Sequence, residues 1–328
     1  MTAPQTPIGR RWWVGALVFS LIGASIAVAA DSLLVRGLRR IRNGDVGVLN
    51  AMVEGQLGSD VLIVGASRAL VHVDCDILRR RLAASCFNIG LDGSPANLQR
   101  PYLETFLRYN APPRLAVFSL DTEAFIESRE PYHLWQYHAF LRQQPIYEGL
   151  ARYLDIWKYR DIPLYGFALL GHDEVKAAVR GLLGKDDERS GQRVLGYRAV
   201  DSEWDGSFEQ FAAANPRGYR FPIDGTGVAE FERMLSMLES RGTRVVLVFS
   251  PEWQEVRRYE SNREEIMRTF AALAAKHRTV FLDYSDSVIS ADRSLFYNSQ
   301  HMNRRGATRF SGVLAGDLAR FLRPERRE

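Results

Sequence analysis

The chain has 328 residues, 46% hydrophobic and 25% charged, and a net charge of only +4. This composition suits a globular protein with a sizeable core, arranged as one elaborated domain or two modest ones, and it excludes wholesale disorder. No long basic run is interleaved with aromatics, so no nucleic-acid partner is expected. The two cysteines cannot build a metal-ligand cluster, and no metal or organic cofactor is implied.

The first predicted element is an apolar segment, Trp12 to Ala30, which carries no charge and follows Arg10 and Arg11. As a helix it is just long enough to cross a bilayer core of about 30 Å. Ala27-Val28-Ala29-Ala30 also resembles a signal-peptidase site. A retained anchor is the expectation, because the stretch is long for a signal core and opens on a tryptophan pair. Arg36, Arg39, Arg40 and Arg42 follow, a pattern suited to lipid headgroups. Counted as flanking charge, these arginines favour a cytoplasmic C-terminal side, although large domains translocate despite such counts.

Strand and helix signals then alternate. Val61-Leu62-Ile63-Val64 is a short apolar run ending at Gly65, the pattern of a strand buried on both faces. Asp74 can cap a helix through Ile77, Leu78 and Leu82, and Cys86-Phe87-Asn88-Ile89 reads as a second strand. Ser94-Pro95 reads as an N-cap followed by proline at the first helical position, opening a helix through Leu107. Leu115-Ala116-Val117-Phe118 is the third strand. The alternation pauses over a segment dense in tyrosine and tryptophan, then resumes with a helix over Phe231 to Leu238. Val245 to Phe249 forms the fourth strand, a helix covers Ile266 to Leu273, Val280 to Leu282 forms the fifth strand, and a last helix covers Gly306 to Phe321. The expected fold is α/β, a doubly wound, flavodoxin-like parallel sheet of five strands with helices on both faces. Residues 1–45 form the membrane anchor and basic linker; 46–328 form the α/β domain, interrupted at about 121–226 by a mainly helical, aromatic-rich insertion. Its aromatics read either as a cap that stacks on sugars or as a subdomain packing its own core or resting on the membrane. Cys75 and Cys86 read as a disulfide in an exported protein or as two small buried side chains.

In such sheets, sites form at the carboxyl ends of the strands. Ser67, Gly93, Asp121, Glu252 and His301 follow the five strands in turn. Ser67 lies in a sharp strand-to-helix turn, Gly65-Ala66-Ser67-Arg68, which exposes a hydroxyl and aims backbone amides outward. A serine nucleophile needs a base. Of the six histidines, His301 alone lies in a polar loop that opens a helix, and it is the candidate.

Gly65-Ala66-Ser67-Arg68, Phe87 through Ser94, and Asn298-Ser299-Gln300-His301-Met302-Asn303 resemble the first, second and last blocks of the SGNH (GDSL-like) hydrolase superfamily. The nearest branch is membrane-anchored and includes the D-alanine-transfer protein of lipoteichoic acid synthesis and the alginate O-acetylation proteins. The resemblance spans roughly Ser59 to Leu322 without the middle segment. It implies a nucleophile at Ser67, a base at His301 and an oxyanion hole from the Ser67 and Gly93 amides. It further implies an exported domain on the inner membrane. There the protein would move or remove acyl groups, acetyl first among them, on a polysaccharide acceptor beside a membrane-bound O-acyltransferase or polysaccharide synthase.

Two positions depart from the family pattern. Asn298 stands where aspartate usually orients the histidine, so either a dyad or a carboxylate from Asp283, Asp286 or Asp292 must compensate. Asp121 stands where an oxyanion-binding asparagine is usual; an ionised Asp121 repels an oxyanion, and Asn88 is the replacement donor unless it braces the turn. Arg68 reads as an anion-binding residue or as a partner for a nearby carboxylate, and Asp92 and Asn97 are equally open. These departures make an accessory subunit the rival reading, one that binds polysaccharide or a membrane acyltransferase.

Overall fold

The three central strands are apolar at every turn of the pleat because both faces of the sheet are covered. In a computed structural model describing residues 10–189 and 191–322, Val61, Ile63, Leu115, Val117, Val246 and Val248 join one hydrophobic cluster. Their neighbours Leu62, Val64, Ala116, Phe118, Leu247 and Phe249 join the other. Complete burial of such side chains stabilises by about 1.5–3 kcal/mol each, which makes these strands the centre of the fold.

In chain order the elements are α1 (Arg10–Leu38), α2 (Gly44–Val53), β1 (Val61–Gly65), α3 (Ser67–His72), α4 (Cys75–Leu82), β2 (Cys86–Asn88), α5 (Ala96–Tyr109) and β3 (Leu115–Leu120). The insertion contributes α6 (Gln144–Ala151), α7 (Trp157–Asp161), α8 (Tyr165–Leu170), α9 (His172–Leu182) and α10 (Ser207–Ala214). Then come α11 (Gly225–Glu239), β4 (Arg244–Phe249), α12 (Arg263–Lys276), β5 (Val280–Asp283) and α13 (Arg304–Leu322). The sheet is wholly parallel in the order β2-β1-β3-β4-β5. Helices α3, α4 and α13 pack on one face, and α2, α5, α11 and α12 on the other. The expected five-stranded α/β fold is therefore the observed one.

Local differences have identifiable causes. Pro95, not Ser94, is the N-cap of α5; the Ser94 hydroxyl donates to the Asp92 carbonyl at 2.9 Å, and the Ala96 amide finds the Ala124 carbonyl at 3.0 Å. Asp74 does cap α4, accepting from the Asp76 amide at 2.9 Å. Before α2, Leu38 and Ile41 are already buried, so the chain joins the core directly below α1. Cys75 and Cys86 form a disulfide that ties the start of α4 to the start of β2.

Helix α1 contains the one stretch among the described residues long and apolar enough to cross a membrane, Trp12–Leu38, with mean hydropathy 2.1. Within the insertion, residues 193–198 cross back over the outer edge of β2. The Leu195 carbonyl accepts from the Asn88 amide at 2.9 Å, and the buried Arg193 donates to the Gly90 carbonyl at 3.0 Å and pairs with Asp45 at 2.9 Å. This strap covers the carboxyl end of an otherwise open edge strand.

Candidate active site

Three strand ends build the site. The switch in strand order between β1 and β3 leaves a crevice at their carboxyl ends, and a cleft of about 190 Å³ opens there, lined by Ser67, Gly93, Asp121, Glu123, Ile126 and Gln300 among others. Gly65 makes the turn out of β1 possible. Its φ is +146°, and a Cβ there would stand 2.4 Å from the Ser119 carbonyl oxygen. Ser67 is consequently the first residue of α3. Amides in a helix's first turn have no intrahelical acceptor, so those of Ser67 and Arg68 are left for a ligand or solvent. Gly93 lies across the cleft at φ +55°, with its Cα packed against Tyr132 so closely that a Cβ would meet the ring at 2.7 Å.

His301 arrives from the loop before α13. His301 Nε2 stands 2.7 Å from Ser67 Oγ, closing a gap of 234 residues. On the other side of the ring, His301 Nδ1 lies 3.0 Å from Asn298 Oδ1. The same oxygen accepts from the backbone amides of Gln300 at 3.1 Å and His301 at 2.9 Å. Two obligatory donors hold the Asn298 carboxamide with its oxygen toward the ring, because its NH₂ end in that place would face two N–H groups. The proton of the neutral imidazole is thereby held on Nδ1, and Nε2 is left to accept from the Ser67 hydroxyl. That is the tautomer a serine-activating base needs. Burial, reinforced by the Arg68 charge and opposed by Asp92, pushes His301 down to about 4. Tyr297 lies parallel to the ring at 5.5 Å, fixing its plane.

A buried brace joins the segments that carry Ser67 and His301. The Met302 amide donates to His72 Nε2 at 2.9 Å, so the His72 proton is on Nδ1, where Ser250 Oγ accepts it at 2.7 Å. Ser250 Oγ also accepts from Arg68 Nε at 3.2 Å, and the Arg68 guanidinium donates to the Ser250 carbonyl. The last residue of α3 thus holds the loop carrying His301, and both are pinned to the end of β4.

Several expected site residues have other duties. Asn88 is fully buried with its polar groups engaged: its amide donates to the Ala69 and Val73 carbonyls at 2.7 and 2.9 Å, and its oxygen accepts from the Gly90 amide at 2.8 Å. It braces the turn and leaves no donor for an oxyanion. Arg68 borders the cleft, but its guanidinium is held by Ser250, by Glu252 at 3.4 Å and by the Phe249 ring at 4.4 Å. It is a structural cation, and removing one partner of such a buried pair typically costs about 3–5 kcal/mol. Glu252 is buried between Arg68 and Arg263 and does not line the cleft. Asp92 pairs with Arg198 at 2.6 Å, and Asn97 holds the Ser128 carbonyl at 2.6 Å.

Among the described residues no carboxylate replaces Asn298. Asp283 is engaged by Ser285, Asp286 by Arg257 and Asp292 by Ser294. Asp121 does line the cleft, where burial raises its pKa against the pull of Arg68. Its neighbour Glu123, exposed at the mouth, has its pKa raised by partial desolvation against the cleft wall and by the Asp121 charge. Glu123 and Gln300 were not anticipated; Gln300 stood beside His301 in the last block, while nothing in the sequence marks Glu123 as a cleft residue. None of the insertion's tyrosines or tryptophans lines this cleft, and Tyr137 and Tyr197 are core residues, which favours the packing reading over a sugar-stacking cap. Among the described residues no group of three or more histidine, cysteine or acidic side chains is placed to hold a metal.

No protein-family model matches the chain, and no curated protein matches it significantly.

Proposed function

We propose that this protein is a membrane-anchored, extracytoplasmic serine acyltransferase or esterase of the SGNH type, acting on short acyl groups of a cell-surface or secreted polysaccharide. The observation that carries the reading is the relay Asn298 Oδ1, His301, Ser67 Oγ, with distances of 3.0 and 2.7 Å. Ser67 Oγ attacks the acyl carbonyl and passes its proton to His301 Nε2, and the developing oxyanion faces the α3 first-turn amides and Gly93. Nε2 then returns the proton to the departing alcohol oxygen, leaving an acyl-serine. A sugar hydroxyl, or water, attacks that ester in the reverse sequence and regenerates Ser67. The cleft, about 190 Å³, is smaller than the ~300–1,000 Å³ of pockets for drug-sized ligands, which favours acetyl or another short acyl group. The disulfide and the apolar α1 favour an exported, anchored domain. A polysaccharide acceptor and a membrane-bound O-acyltransferase or polysaccharide synthase are the partners this reading implies.

Asp121 favours a second reading. A carboxylate where the oxyanion develops suits an accessory subunit that binds glycan or an acyltransferase without turning over. The deciding measurement is acetate release from p-nitrophenyl acetate by the full chain in detergent, compared with Ser67→Ala. The enzyme reading expects the unaltered chain to exceed the variant by about 10²-fold or more. Equal rates at equal thermal stability leave only the accessory role. Mass spectrometry of an added acetyl-accepting oligosaccharide then separates transfer from hydrolysis.

A further inference from the structure

We infer that the face formed by α7, the turn at Ile162 to Leu164 and α8 is seated in the headgroup and upper acyl region of the bilayer spanned by α1. The α/β domain is then docked on the membrane rather than tethered above it. This inference rests on the anchor reading of α1.

The helix sets the depth. Trp12 to Ala30, 19 residues at about 1.5 Å each, fills about 28 Å of a hydrocarbon core near 30 Å thick. Asp31, the first charge after it, therefore stands at the hydrocarbon boundary. The Asp31 carboxylate accepts from the Leu164 amide at 2.9 Å, which places the turn between α7 and α8 at that level. Around the same point a small cavity is lined by Asp31, Val35, Arg142, Tyr159 and Arg160, joining α1 to cations and an aromatic of the domain.

The junction is rigid. Gly37 of α1 packs directly on α9: a Cβ there would stand 2.0 Å from the Ala178 carbonyl oxygen, and one on Gly181 equally close to the Gly37 oxygen. Asp186, beyond α9, accepts from the Arg42 and Asn43 amides at 2.9 and 3.0 Å. Contacts thus advance together along both segments, from Leu164 with Asp31 to Asp186 with Asn43. Helix α9 therefore runs away from the bilayer alongside the lower end of α1, and α8, which precedes it, lies on the membrane side.

The surface at that level has interfacial chemistry. Trp157, Ile162 and Leu169 are exposed at 46, 40 and 57%, and Lys158 and Arg160 stand among them, paired with the exposed Asp155 and Asp161. Aromatic and aliphatic groups with neighbouring cations match the acyl boundary and lipid phosphates. Leu183, exposed at 67%, is the internal control, because it lies at the far end of α9, about 16 Å from the start of that helix and close to Gly181, whose partner Gly37 stands about 9 Å along α1 beyond Asp31.

The test uses the full chain in nanodiscs of phosphatidylethanolamine and phosphatidylglycerol, with one spin label at a time on Phe19→Cys, Ile162→Cys, Leu169→Cys or Leu183→Cys. The native cysteines are paired and do not react. Collision with oxygen, which partitions into lipid, is compared with collision with a water-soluble nickel chelate. The oxygen-to-nickel ratio is expected to be severalfold higher at 162 and 169 than at 183, and highest at 19. Ratios at 162 and 169 equal to that at 183, with 19 still in lipid, overturn the docked surface and leave that face to a protein partner. An aqueous ratio at 19 overturns the anchor reading and the docked surface together.

Discussion

At the residue scale the decisive side chain is Asn298. In Ser-His-Asp triads an Asp-to-Asn change costs about 10⁴ in turnover, chiefly because the amide presents its NH₂ and selects the wrong imidazole tautomer. Here the Gln300 and His301 amides occupy the same oxygen, so the carboxamide accepts from His301 instead. What it lacks is negative charge, and the low pKa of His301, about 4, matches a ring that is oriented but not electrostatically supported. In the proposed mechanism the base works unprotonated, so kcat/KM is expected to stay level as pH falls through the ordinary histidine value of 6.5 and to drop only near pH 4. The same shift acts on stability. Between pH 6.5 and about 4 the unfolded chain takes up a proton that folded His301 refuses, so stability declines as pH falls through that window. Asn298→Asp keeps all three acceptor contacts and adds charge; turnover should rise and the acid limb should move up in pH. Asn298→Ala should lower kcat by about 10²-fold or more without moving that limb upward. A pH–rate profile of the three forms checks both. Asp121→Asn replaces a carboxylate with a donor beside the nascent oxyanion. It is expected to raise kcat at least tenfold, the order attributed to one oxyanion-hole donor being about 10²–10³. A fall in kcat instead would assign Asp121 to substrate binding.

At the element scale, the positions of Ser67 and His301 depend on how α3 and the loop before α13 are tied together. The tie is Ser250, at the end of β4, which accepts from His72 and Arg68 while His72 in turn accepts from Met302. Ser250→Ala leaves the His72 Nδ1–H buried without a partner, a loss of about 1–3 kcal/mol. The variant should melt at lower temperature and show a reduced kcat with little change in KM for a small ester, since Ser250 itself does not line the cleft and Arg68 keeps its contacts to the Ser250 carbonyl and Glu252. Thermal unfolding and steady-state kinetics on the same preparation provide the check; unchanged kcat would limit the brace to stability. The disulfide works on the neighbouring element, closing an 11-residue separation between α4 and β2. Closing a loop of about this size typically stabilises a domain by about 2–3 kcal/mol.

At the scale of the whole molecule, the parallel sheet gathers residues scattered along the chain at one edge, and α1, long and apolar enough to span a membrane, joins that assembly through a junction of small residues. Gly37→Val would force a side chain into the Ala178 backbone. A cost of about 1–3 kcal/mol from overpacking is expected, read as faster amide exchange in α9 and a lower melting temperature, with the Ser67 to His301 relay intact. If exchange in α9 did not change, α1 and the domain would be only loosely joined.

The strands β1, β3 and β4 were legible in the sequence because burial on both faces makes their residues apolar without interruption, a signal that needs no knowledge of neighbours. Ser67 and His301 were legible because each stands in a local pattern of glycine and polar residues at a strand-to-helix junction. The 19-residue apolar run was legible for the same reason: length and lack of charge are properties of one segment. Asn88 and Arg68 could not be assigned, since a buried donor looks the same in sequence whether it faces a ligand or the Ala69 carbonyl. The orientation of Asn298, the strap from Arg193 to Arg198 over β2 and the placement of Leu164 beside Asp31 all depend on hydrogen bonds, most of them between distant segments. Segment-level physics therefore determined the elements and named the Ser67 and His301 pair that the fold brings together. Tertiary structure alone decided which polar atoms remain free to act, because a hydrogen-bonding group is available only when folding brings no other partner within reach.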